Sequence, residues 1–234
     1  MIWEAHLSFI LALAGIAGGI YNWQKNGPAS LWMPLAFFGL MGALQDFSHE
    51  IANECGMPAN QVATLLGYLH ICFQPFFLNA AGLHFIDVRV ARRIDLPVYT
   101  LCFTGLIIML IQAYPFNWAG HCERGSFMCG ETLCALRDSW QLAYTLPLNQ
   151  VQEQMPWLFI CGIVLPLLYG SWRFITLYAL TCPLLAYAVT QNSTEWPVLA
   201  SILAIAFFWA LNSYETLSQQ LFVRRWLGWR MIAA

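Results

Sequence analysis

The chain has 234 residues, 59% hydrophobic, 15% aromatic and only 9% charged, with a mean hydropathy of +0.59. A soluble domain carries about 25% charged residues, so this composition cannot cover a surface in water and belongs in a lipid bilayer. The net charge of −2 supplies no basic footprint for phosphates, which excludes nucleic-acid binding.

A membrane-crossing helix needs about 20 mostly apolar residues. Seven such stretches follow one another at 4–24, 31–52, 61–86, 98–114, 151–170, 174–191 and 197–217. They predict an all-α polytopic membrane protein, a seven-transmembrane-helix bundle forming one domain over 1–234. Met1 to Ala5 has no basic run, so the first stretch reads as a retained helix rather than a signal peptide. Lys25, Arg89, Arg92, Arg93, Arg173, Arg224, Arg225 and Arg230 fall on one side of this threading, and only Arg124 and Arg137 on the other. Basic residues accumulate on the cytoplasmic side, which sets the N-terminus outside and the C-terminus in the cytoplasm. The segment 218–234, with its arginines and tryptophans, reads as a cytoplasmic tail lying in the interface.

Titratable residues inside a membrane helix mark a functional site by default. His6 opens the first helix. The second carries Gln45, Asp46, His49 and Glu50 on one arc with Gly39 and Gly42, and small residues there let a neighbouring helix approach closely. In the third, His70, Gln74 and His84 fall on one seam, with His70 expected near the level of Asp46. Imidazole and carboxylate together suit zinc, iron or manganese. The candidate ligands of a divalent metal are therefore His6, His49, His70, Asp46 and Glu50, with Asp46 or Glu50 also the catalytic base and Gln74 a cofactor-binding residue. One haem between His70 and His49 or His6 is the lesser alternative. Retinal is excluded, because the only lysine, Lys25, lies in a loop.

The long connection 115–150 is expected to cap the outer mouth. It holds Cys122, Cys129 and Cys134, and Cys55 lies in the other sizeable outer loop. An even set on the oxidising side suggests one or two disulfides, and a bridge from Cys55 would pin the cap to the joint between helices 2 and 3. A sharper reading makes His121, Cys122, Cys129 and Cys134 a zinc site. Leu136, Trp140, Ala143 and Pro147 recur at helical spacing and predict a lid helix lying flat on the interface. Asn192-Ser193-Thr194 fits the glycosylation pattern but sits close enough to the membrane to be a turn.

The segments Leu66-Gly67-Tyr68-Leu69-His70-Ile71-Cys72-Phe73-Gln74-Pro75-Phe76-Phe77 and Arg124-Gly125-Ser126-Phe127-Met128-Cys129-Gly130-Glu131 resemble those of an uncharacterised family of bacterial seven-helix integral membrane proteins. The resemblance implies the seven-helix count and a bacterial inner (plasma) membrane, and it implies no activity. The residues themselves predict a metal-dependent membrane enzyme, hydrolase or oxidoreductase, acting on a small or lipid-like substrate. A proton-coupled transporter, or a non-catalytic subunit or receptor with membrane protein partners, is the alternative.

Overall fold

The computed structural model describes residues 2–114, 116, 118–123, 126, 128–138, 142–150, 156–190, 192 and 194–223, the side chains of 2–7 and 156 excepted. Eight helical stretches form among them. They are α1 (Ile2–Gln24), α2 (Ala29–Glu50), α3 (Pro58–His84), α4 (Val88–Gln112), α5 (156–169), α6 (Trp172–Val189), α7 (Trp196–Ser213) and α8 (Glu215–Leu221). Four of these, α3, α4, α6 and α7, are long and apolar enough to cross a membrane. Two are interrupted by π-helix, α5 at Ile160–Val164 and α6 at Leu180–Leu184.

Among the described residues, two boundaries differ from the sequence expectation by four residues or more. The fourth helix begins at Val88 rather than at 98, because the Asp87 carboxylate accepts from the Arg89 N–H at 2.8 Å and caps it. The basic run 89–93 is therefore helical and not a joint. The last long helix stops at Ser213 instead of running to 217, since Tyr214 takes extended backbone (φ −113°, ψ 94°) before α8 restarts. The remainder of the tail, 224–234, lies outside the described residues.

The small-residue arc of α2 receives α1, at a contact where the two backbones meet directly. A β-carbon on Gly15 would lie 2.7 Å from the Gly39 Cα, and one on Gly42 would lie 3.1 Å from the Ala12 N. Beyond this contact the core joins α2, α3, α6 and α7 through Leu35, Phe38, Leu78, Phe174 and Phe208. A second cluster, with Met41, Tyr68, Met109, Met128 and Tyr144, fills the space between the bundle and its cap.

The cap contains an antiparallel hairpin of β1 (Cys134–Arg137) and β2 (Leu142–Thr145), pairing Ala135 with Tyr144. This corrects the expected lid helix. Ala135, Leu142, Ala143 and Tyr144 are all buried, so both faces of β2 are covered and the alternation that identifies a half-exposed strand is erased. Trp140 lies outside the described residues. Disulfides join Cys55 to Cys134 and Cys122 to Cys129. The first pins the cap to the α2–α3 joint, as expected. Together they also overturn the zinc reading of the cap, whose three cysteine sulfurs are bonded to sulfur and are not thiolates. Asn60 completes the docking: its amide donates to the Ala135 carbonyl at 3.1 Å and accepts from the Ala135 N–H at 2.8 Å.

Tyr144 is the plug of the cap. Its ring packs where a β-carbon on Gly67 would stand, 2.6 Å away, and its hydroxyl donates to Ser48 Oγ at 3.3 Å. Burial pushes the phenol up to about 12 from its ordinary 10. An acid raised on folding contributes stability that is complete below the unfolded pKa and is lost as pH rises through the folded one. The protection factors of β1 and β2, which are exchange rates corrected for the intrinsic base-catalysed rise, should therefore fall between pH 10 and 12. Tyr144→Phe, which gives up a long hydrogen bond of about 0.5 kcal/mol, should remove that step. An identical alkaline step in the variant would assign it to another group.

Candidate functional site

The polar arc of α2 meets α7 and α1 rather than α3. Gln45 is fully buried, and its Nε2 donates to the Val198 carbonyl of α7 at 3.4 Å. One turn nearer the cap, His49 is buried and its backbone carbonyl accepts from Arg137 Nη2 at 2.9 Å. One turn nearer the cap from Val198, Glu195 is also fully buried, with Thr190 Oγ1 donating to its Oε2 at 2.6 Å. Ser8 of α1 is buried as well. Gln45 Oε1 and Ser8 Oγ have no hydrogen-bond partner among the described residues. Asp46 is half-buried and Glu50 exposed.

The structure does not bring His70 to this junction. Its ring stacks on Phe37 at 3.8 Å and 9°, and Phe37 stacks on Phe77 at 3.8 Å. Nine residues separate Phe37 from Asp46, which at about 100° per residue puts them on opposite sides of α2. The space between α2 and α3 nearer the cap is taken by Tyr144, and His70 turns to the aromatic stack. His84 lies at the far end of α3, its Nδ1 3.0 Å from Ser30 Oγ. The side chain of His6 lies outside the described residues. Among the described residues no three His, Cys, Asp or Glu side chains gather to hold a metal ion.

Gln74, the remaining candidate, lines a cleft of about 730 Å³ between α3, α5, α6 and α7. Its Nε2 donates to Ser201 Oγ at 2.8 Å, and Ser201 in turn donates to the Pro197 carbonyl at 2.8 Å. Both π-helical stretches reach this cleft, one through Gly162 and Ile163, the other through Leu180, Pro183 and Leu184. Proline explains where the helices are interrupted. Pro183 lies inside the second stretch and Pro166 just beyond the first, and each removes an N–H from the helical ladder. Gln74 was legible as an amide inside an apolar helix. The prolines were the only sequence trace of the π-helix, and the buried Glu195 was missed because its position reads as an outer loop. In the Asn192 tripeptide, Asn192 Oδ1 accepts from the Thr194 N–H at 3.0 Å.

The family model described as Family of unknown function (DUF5765) matches residues 6–221. No curated protein and no solved structure matches the chain.

Proposed function

The chain belongs to this family of unknown function, and since membership assigns no activity we propose one from the geometry: an integral membrane protein that binds a lipid-like molecule in the cleft beside Gln74. In this reading seven helices span the membrane, with the N-terminus outside and the C-terminus in the cytoplasm, and a bacterial inner membrane is the expected host. The carrying observation is the convergence of two π-helical stretches on one cleft. Interruptions of this kind gather at functional sites. Ligand pockets are largely apolar with a few polar groups that fix orientation. Leu78, Ile163, Leu180 and Leu184 supply the apolar wall. Gln74 has a carbonyl oxygen and two N–H groups; with Nε2 engaged by Ser201, a second N–H and Oε1 serve the polar end of a ligand.

A divalent metal on His6, His49, His70, Asp46 and Glu50 draws less support. His70 and Asp46 are on opposite sides of α2, and the described residues assemble no three-ligand group.

The cleft can be filled without touching the backbone. A β-carbon on Gly162 meets only Leu78 Cδ1, at 3.5 Å, so a side chain fits there. Native mass spectrometry of the full chain, equilibrated with total membrane lipid in a mild detergent, should show about one amphiphile retained per chain. Gly162→Phe should lose it while keeping its melting temperature. Gln74→Leu should weaken it about fivefold, the worth of one hydrogen bond of about 1 kcal/mol. Equal retention in Gly162→Phe and the unaltered protein would sink the reading.

A further inference from the structure

We propose that a second pocket, at the end of the bundle away from the cap, binds the phosphate of an anionic phospholipid. It is a cavity of about 890 Å³ where the end of α3, the start of α6 and α8 meet. His84, Arg173, Ser218 and Gln219 line it with hydrogen-bond donors, and Trp172 and Phe222 with aromatic rings. None of the lining residues carries a negative charge. Glu215 adjoins it on α8 and is held by Gln219 Nε2 at 3.0 Å.

Arg173 is already positioned. Its Nη1 donates to the Gln220 carbonyl at 3.0 Å, and its guanidinium lies 5.4 Å from the Trp172 ring centre. One anchored nitrogen leaves the other N–H groups of the planar fork to meet phosphate oxygens, a geometry a guanidinium matches well. His84 is oriented by Ser30, whose Oγ lies 3.0 Å from its Nδ1, and a neutral ring that accepts there carries its proton on Nε2. The setting distinguishes a lipid phosphate from a free one. Trp172 and Phe222 are partly exposed, as in an interfacial aromatic belt, and Lys25, Arg89, Arg92 and Arg93 belong to this same end. Basic pockets between helices at the cytoplasmic face take anionic headgroups. The inference rests on the chain spanning a membrane and is independent of what the Gln74 cleft binds.

The full chain in neutral detergent is titrated with dioleoyl phosphatidylglycerol, dioleoyl phosphatidylcholine and inorganic phosphate, reading melting temperature and native-mass adducts. Phosphatidylglycerol should stabilise at concentrations where phosphatidylcholine does not. Arg173→Gln should weaken its effect about fivefold, the contribution of one basic residue near an anionic surface. Gly162→Phe should leave it unchanged, which separates this site from the cleft. Because Arg173 also tethers Gln220, Ser218→Asp provides an independent variant that places a negative charge in the pocket and should weaken phosphatidylglycerol as well. Equal stabilisation by the two lipids, or full phosphatidylglycerol binding in both variants, would overturn the proposal. An equal shift with inorganic phosphate alone would overturn the assignment to lipid.

Discussion

Cys55→Ser should release the cap from the bundle. The Cys55–Cys134 bridge closes a sequence separation of 79 residues, for which the chain-entropy account gives about 4.5 kcal/mol. Cys122–Cys129 spans 7 residues, and by the same account its loss costs about 2.5 kcal/mol. The hydrogen bonds of Asn60 to Ala135 and of the Arg137 N–H to Asn53 Oδ1 remain in the variant, so docking is weakened and the helices persist. Hydrogen exchange should show β1 and β2 losing protection while α3 and α7 keep theirs. Loss of protection throughout the bundle would instead make the bridge a determinant of the whole fold. A change below about 1 kcal/mol in cap stability would contradict the pinning role.

The second large effect is at the α1–α2 contact. Gly39→Leu brings a side chain to where a β-carbon already lies 2.8 Å from the Ile16 N and 3.0 Å from Gly15 backbone atoms. These three nearest atoms are all backbone, so no rotamer change relieves the overlap and the helices must separate. Overpacking costs about 1–3 kcal/mol where side chains can shift, and this position should reach or exceed the upper figure. Gly56→Leu is the control, since nothing lies within 4 Å of a β-carbon there. Melting in detergent should fall sharply for the first variant and stay level for the second. Equal melting of the two would mean that α1 does not rest on Gly39.

Much of this contact was readable from the sequence. Gly39 and Gly42 share an arc with the polar residues of α2, and small residues admit a close neighbour. What the arc could not say is which helix arrives: α1 does, while α7 supplies the Val198 carbonyl to Gln45. The Cys55 bridge was also readable, because four cysteines lay outside the predicted helices. The hairpin it anchors was hidden by burial on both faces, which leaves Leu136 and Ala143 at a spacing that imitates a helix. Basic residues misled in one place, where Arg89 to Arg93 read as a joint until the Asp87 cap made them the first turns of α4.

The candidate site divides in the same way. Gln74 stands out in any sequence as an amide within an apolar helix, and it lines the cleft. His70 and His49 stand out equally, yet periodicity within one helix fixes a residue's face and not its depth against a neighbour. Tyr144, reaching in from the cap, occupies the space that would have joined them. Glu195 shows the converse. Its surroundings in sequence are those of a short polar joint, and only the fold of that joint, with Thr190 donating to its carboxylate, makes it a buried acid.

The central claim, that a lipid-like molecule occupies the cleft beside Gln74, is tested most directly by photocrosslinking. The full chain in bilayer nanodiscs would be irradiated with a phospholipid carrying a diazirine on its acyl chain, and adducts mapped by peptide mass spectrometry. A lipid seated in the cleft should concentrate adducts on Leu78, Ile163, Leu180 and Pro183, and Gly162→Phe should lose them. Adducts spread evenly over exposed apolar residues such as Leu40, Phe103 and Leu168, unchanged in the variant, would contradict it.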